Sequence, residues 1–228
     1  MTTGFLFALH GRRGKISQAN LALIESLKNT YDQPQATGFL EGDQHTLEDG
    51  VAALEDQVDE LVVVPVLLFA ATHVLWDLPK RINASKCPGL KVTFLEPLGT
   101  TQAVYDFLYH QLKTAVTQHP NQPILLVAHG TGHFDAPLQQ FEAIGHQLSQ
   151  ALQTPVAFAN YVGQLKVQDV VATSTQPWLV QPLFLTQGRI VKNVEKLIKA
   201  AQPASVFLPT LENQPALRQA IIERIDQR

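Results

Sequence analysis

Three side chains able to hold a divalent metal or move a proton stand at or just beyond the ends of three successive apolar runs. His10 closes Phe5-Leu6-Phe7-Ala8-Leu9-His10, Glu41 closes Ala36-Thr37-Gly38-Phe39-Leu40-Glu41, and His73 follows the long run that starts at Val62. An imidazole titrates near pH 6.5, so around neutrality it serves as a metal ligand or as a proton acceptor. Two imidazoles and a carboxylate make an N/N/O donor set with coordination positions left open. Any one such residue more often caps a helix or fills a loop; three at successive strand ends are harder to assign that way.

Other candidates flank this set. Arg12 and Arg13 follow His10-Gly11 directly, where guanidinium groups can pair with an anionic ligand. Lys80 and Arg81 add positive charge after the His73 tract, and Trp76 within Val74-Leu75-Trp76-Asp77-Leu78-Pro79 offers an indole to a planar ring or to the core. His45 lies in a short loop ahead of the helix-start signal Thr46-Leu47-Glu48-Asp49, and is expected to be solvated.

The elements that must position these residues repeat. The run ending in His10-Gly11 recurs as Ile124-Leu125-Leu126-Val127-Ala128-His129-Gly130, a spacing of about half the chain. Short continuous apolar runs at 4–9, 36–40, 61–69 and 92–95 read as strands buried on both faces, and 123–128, 156–159, 178–185 and 205–208 repeat the order. Amphipathic stretches alternate with them, including Leu21, Leu23, Ile24 and Leu27, the run Val51, Leu54 and Val58, and stretches from about Leu138, Val167, Val191 and Pro215. Such alternation implies right-handed βαβ crossovers. The expected fold is α/β: two tandem doubly wound, mainly parallel domains, 1–119 and 120–228, joined at His119-Pro120-Asn121-Gln122-Pro123 with a ligand cleft between them.

The second copy keeps only part of the donor set. His129 matches His10, but Asn160-Tyr161 stands where Glu41 would be, and aligning Pro65 with Pro182 puts Ile190 at the place of His73. The second half is therefore expected to support rather than catalyse, with His129, Gln187 and Arg189 as polar contacts to a substrate.

Composition narrows the class. The chain has 228 residues, 45% hydrophobic and 16% charged, which suits two globular cores and excludes a fibre or a disordered chain. A net charge of −3 gives no basic footprint for nucleic acid. No apolar run approaches the ~20 residues of a membrane span. Cys87 is the only cysteine, and the start shows no signal-peptide pattern, so a cytoplasmic protein is expected.

On these residues the chain resembles the class II chelatases of the CbiX/SirB type. The resemblance is carried by His10-Gly11-Arg12, by Gly38-Phe39-Leu40-Glu41, and most specifically by Pro65-Val66-Leu67-Leu68-Phe69-Ala70-Ala71-Thr72-His73 followed by Asp77-Leu78-Pro79. It implies a chelatase-like fold in its long form, two fused repeats acting as a monomer. It also implies insertion of Fe2+ or Co2+, with Ni2+ a further option, into sirohydrochlorin for siroheme or cobalamin, the metal being substrate and no prosthetic group being needed. His10 and His73 would be catalytic and, with Glu41, bind the metal. The family commonly reads His-Gly-Ser-Arg-Asp at the first site, where this chain has Arg12 and Gly14 in the Ser and Asp places. The competing reading is a non-catalytic tetrapyrrole or metal carrier, or a degenerate chelatase. A histidine-phosphatase reading fails on the missing arginine before His10, and an acyl-hydrolase reading on the missing serine after His129.

Overall fold

The computed structural model of the protein describes residues 2–11, 17–27 and 29–228. Strands β1 (Thr3–Leu9), β2 (Gln35–Phe39), β3 (Glu60–Val66) and β4 (Lys91–Phe94) alternate with helices α1 (Gln18–Leu27), α2 (Leu47–Leu54) and α3 (Leu78–Ser85). They form one all-parallel sheet in the order β2-β1-β3-β4. Helix α4 (Gln102–Gln118) follows. The second set is β5 (Ile124–Ala128), α5 (Ala136–Leu152), β6 (Val156–Asn160), α6 (Val167–Val171), β7 (Leu179–Pro182), α7 (Arg189–Ala201), β8 (Val206–Phe207) and α8 (Pro215–Asp226). Its sheet has the matching all-parallel order β6-β5-β7-β8. The expected class, two similar parallel α/β sheets, is the one observed.

The apolar runs become central strands because both faces are covered. Phe5 to Leu9 are buried throughout, as are Leu61 to Val64. Leu6, Ala8 and Val63 meet Leu47, Val51 and Leu54 of α2 and Leu78 and Ile82 of α3 in one core. Full burial of each Leu or Val is worth about 1.5–3 kcal/mol before the entropy of ordering is subtracted. The second sheet packs Leu125, Val127 and Val180 on Val191, Val194 and Ile198 of α7 in the same manner. Helix α2 starts at the signal read from sequence: Thr46 Oγ1 accepts from the Asp49 backbone N–H, and the Asp49 carboxylate accepts from that of Thr46.

Two of the expected strands end well short of their apolar runs. The run expected as a strand to Phe69 pairs only to Val66, and the one expected to Leu185 only to Pro182, because the ladders with β1 and β5 end there. By packing, the chain forms two compact units: one runs to Thr101 and takes in Arg218–Arg228, the other is Gln102–Leu217. The last helix of each sequence repeat packs outside its own repeat. Helix α4 packs on α5 and β7. From α8, Arg224 Nε donates to the Pro97 carbonyl at 2.9 Å and Arg218 Nη2 to Thr30 Oγ1 at 2.6 Å. Tyr31 Oη donates to Asp226 Oδ1 at 3.2 Å, and burial, followed by the Asp226 charge, pushes the Tyr31 phenol up to about 12. No helix among the described residues is long and apolar enough to cross a membrane.

The topology fixes where a site forms in the first unit. With order β2-β1-β3-β4 the connections leave β1 and β3 on either side of a switch point, where open α/β sheets bind ligands at the carboxyl ends of their strands. Leu9 lies opposite both Phe39 and Val66, so the residues that follow all three emerge at one edge.

Candidate metal site

His10 is the first residue past β1. Gly11 then lets the chain pass close over β2: a Cβ there would lie 2.7 Å from Phe39 Cδ1. The Leu40 N–H donates to the Leu9 carbonyl at 2.9 Å, which carries the β1–β2 ladder one step further and sets Glu41 beside His10. The loop returns at once, the Phe39 N–H donating to the His45 carbonyl at 2.8 Å with His45 in the left-handed region at φ 52°. His45 itself is exposed, as expected of a solvated loop.

His73 opens a π-helical turn, His73–Asp77, closed by the Leu78 N–H donating to the His73 carbonyl. Leu78 is fully buried in the core and pins the far end of that turn. Such single π turns recur at functional sites.

The three side chains converge. Glu41 Oε1 lies 3.3 Å from His10 Nε2 and 3.7 Å from His73 Nε2. The two imidazole rings meet edge to face, centroids 5.2 Å apart at 74°. One ligand atom from each residue falls within 4.8 Å of the others. Donors about 2.1 Å from a tetrahedrally bound ion stand about 3.4 Å apart, so the spacing suits one ion after small inward rotations. All three side chains keep over a third of their surface, which leaves coordination positions and a face open to a substrate.

Two supporting groups surround the trio. Asp77 Oδ2 is 2.8 Å from His73 Nδ1. Its signal in sequence is the His-x-x-x-Asp spacing, which places both side chains on one helical face. Arg81, expected to attract an anionic ligand, is instead committed: Nε donates to Glu48 Oε1 at 2.7 Å, Nη2 to Glu48 Oε2, and Nη1 to the carbonyl of Leu40, the residue before Glu41. The Arg81 hydrogen bonds hold the Glu48 carboxyl down to about 2. This pair, 33 residues apart in the chain, has no local sequence signal.

The remaining candidates are dispersed. Trp76 lies on the same π-helical turn as His73 with 66% of its surface exposed, so it belongs to no core. Arg12 and Arg13 lie outside the described residues. In the second unit His129 follows β5, is exposed, and donates from Nδ1 to the Gly130 carbonyl at 2.9 Å. Gly130 sits at φ +74°, and a Cβ there would come 2.2 Å from the Val162 carbonyl, so each His-Gly pair owes its glycine to a close strand-end approach. Gln187 and Arg189 are exposed around the start of α7. The ladders align Pro65 with Pro182 and Phe39 with Asn160, which puts Val162, just past the Asn160-Tyr161 expected there, at the place of Glu41 and agrees with Ile190 at that of His73. Ile190 packs against the second core, and Tyr161 Oη accepts from Asn193 Nδ2 at 3.3 Å.

Comparison with known proteins places the family and the fold of the chain. The CbiX family model matches residues 4–115 and again 123–228. The sirohydrochlorin ferrochelatase of Bacillus subtilis is 25% identical over 241 residues, 99% of this chain and 91% of that protein. A sirohydrochlorin cobaltochelatase of Sulfurisphaera tokodaii is 30% identical over 111 residues, 48% of this chain but 91% of that protein, so one half here spans nearly the whole of the shorter relative. Among solved structures, SirB from Bacillus subtilis with Fe3+ superposes at a TM-score of 0.86 with 23% identity, covering all of this chain and 95% of that one. CbiX, described as the terminal enzyme of siroheme biosynthesis in denitrifying bacteria, follows at 0.73 with 19% identity, covering 100% and 99%.

Proposed function

Because this chain belongs to the CbiX family, we propose that it is a sirohydrochlorin chelatase that inserts Fe2+ or Co2+ into that tetrapyrrole, the metal entering as substrate. The observation that carries the assignment of the site is the convergence of His10 Nε2, His73 Nε2 and Glu41 Oε1 at one exposed strand edge. The relatives named for sirohydrochlorin support the substrate.

Insertion requires a metal presented to one face of the macrocycle and removal of two pyrrole N–H protons. The Nε2 atoms of His10 and His73 hold the ion, and each imidazole, once released from it, accepts a pyrrole proton. Glu41 offsets the positive charge and, at 3.3 Å from His10, gives the proton a path away from the ring. Trp76 presents an exposed indole to the macrocycle's flat face. Arg12, Arg13, His129, Gln187 and Arg189 are the proposed contacts to the substrate's polar rim. Imidazole and carboxylate suit Fe2+, Co2+ and Ni2+ alike, so the ligand set leaves the metal to supply.

In this reading repeat 1–119 carries the chemistry and repeat 120–228 is catalytically degenerate, with Val162 and Ile190 replacing two of three donors. The fused repeats act as a monomer in the cytoplasm. The test is anaerobic mixing of the protein with sirohydrochlorin and Fe2+, Co2+ or Ni2+, followed by absorbance. Metallation faster than the protein-free rate with Fe2+ or Co2+ is expected. Binding of metal and tetrapyrrole without a spectral change at that rate identifies a carrier instead.

A further inference from the structure

We propose that Asp77 is a positioning residue that fixes the ring proton of His73 on Nδ1 and so keeps the Nε2 lone pair aimed at the metal. The inference rests on the metal-insertion reading above and adds a residue to it. A carboxylate only accepts hydrogen bonds, so the 2.8 Å contact from Asp77 Oδ2 requires a proton on His73 Nδ1. The opposite nitrogen, Nε2, is the atom 3.7 Å from Glu41 Oε1. Without a partner, neutral imidazole carries its proton mainly on the other nitrogen, where it would block the lone pair that a metal needs.

The local fold holds this contact in place. His73 and Asp77 begin and end one π-helical turn, whose closing hydrogen bond runs from the buried Leu78. One turn further along the same face stands Arg81, whose Nη1 holds the Leu40 carbonyl next to Glu41. A single helical face thus orients His73 at one end and tethers the strand end of Glu41 at the other. The second repeat supports the link between partner and ligand: where Ile190 replaces His73, Val194 occupies the position matching Asp77 and is fully buried in the core.

Carboxylates that orient metal-binding histidines typically change metal affinity or activity by about 10–100-fold when removed. The experiment uses the full chain, metal-free and 15N-labelled at histidine, at about pH 8. Long-range 1H–15N correlation reads the His73 tautomer, assigned by its loss in His73→Gln. Co2+ titration by absorbance and the KM and kcat of Co2+ insertion follow for the wild type, Asp77→Ala and Asp77→Glu.

The wild type is expected to show Nδ1–H. Asp77→Ala is expected to move to Nε2–H, with Co2+ affinity falling about 10–100-fold and the KM for metal rising in step. Asp77→Glu is expected to restore the tautomer and part of the affinity. A wild type in the Nε2–H form overturns the proposal even if Asp77→Ala fails to fold, as does a folded Asp77→Ala with unchanged tautomer and affinity. Tautomer and Co2+ affinity are read without tetrapyrrole. A wild type that binds Co2+ yet leaves sirohydrochlorin unmetallated therefore overturns the chelatase reading alone.

Discussion

Replacing Glu48 with glutamine removes one charge from the pair that fastens the end of β2, while keeping the size of the side chain. In the wild type Glu48 accepts two hydrogen bonds from Arg81, which lower its carboxyl from 4.5 to about 2. Taken at face value that shift is worth roughly 3 kcal/mol. The pair is far from dry, however, with side-chain exposures of 42% for Glu48 and 28% for Arg81, and solvent screening reduces the expected stabilisation to about 1 kcal/mol. The pH dependence has a definite sign. A carboxyl whose pKa is depressed on folding contributes fully above its unfolded value of 4.5, and its contribution fades as pH falls from there through about 2. Urea unfolding of the wild type and Glu48→Gln should differ by about 1 kcal/mol between pH 6 and 7, and the difference should shrink steadily below pH 4.5. A gap that stays constant down to pH 3, or a variant as stable as the wild type at pH 7, would refute the reasoning.

Gly11→Ala forces a Cβ to within 2.7 Å of Phe39 Cδ1 beside His10. It should cost about 1–3 kcal/mol in denaturant unfolding and slow metal insertion together. Trp76→Ala removes a side chain that is 66% exposed, so stability should stay within about 0.5 kcal/mol while the KM for sirohydrochlorin rises. Arg81→Ala frees the Leu40 carbonyl and should raise the KM for metal more than it changes kcat, measured with Co2+ as the varied substrate.

Much of the first sheet was legible because its strands are buried on both faces, and such strands read as unbroken apolar runs. The position of Glu41 beside His10 follows from parallel pairing once the ends of β1 and β2 are known, since Leu9 pairs with Phe39 and the ladder continues by one residue. Where a strand stops is harder to read. The apolar character of 61–69 persists past Val66, and only the end of the ladder with β1 terminates the strand. Helix α4 carries a clear helical stripe in Val104, Leu108, Leu112 and Ala115, yet the partner that buries it is the second unit, not its own repeat. The return of Arg218–Arg228 to the first unit and the Arg81–Glu48 pair are tertiary choices between distant segments, with no local pattern to announce them. Asp77 was in plain view as a sequence residue. What the structure adds is its 2.8 Å contact with the ring of His73.

The central claim is that insertion takes place at His10, Glu41 and His73 in the first repeat. Its most direct test is the initial rate of Co2+ insertion into sirohydrochlorin, under anaerobic conditions, by the wild type, by the double variant His10→Ala/His73→Ala, and, as a control, by His133→Ala, a change at an exposed loop histidine between β5 and α5. The double variant alters only side chains that are 44% and 37% exposed, so its fold, checked by circular dichroism, should persist. The account predicts that its rate falls to the protein-free background while His133→Ala retains the wild-type rate. A folded double variant that still metallates sirohydrochlorin at the wild-type rate would contradict it.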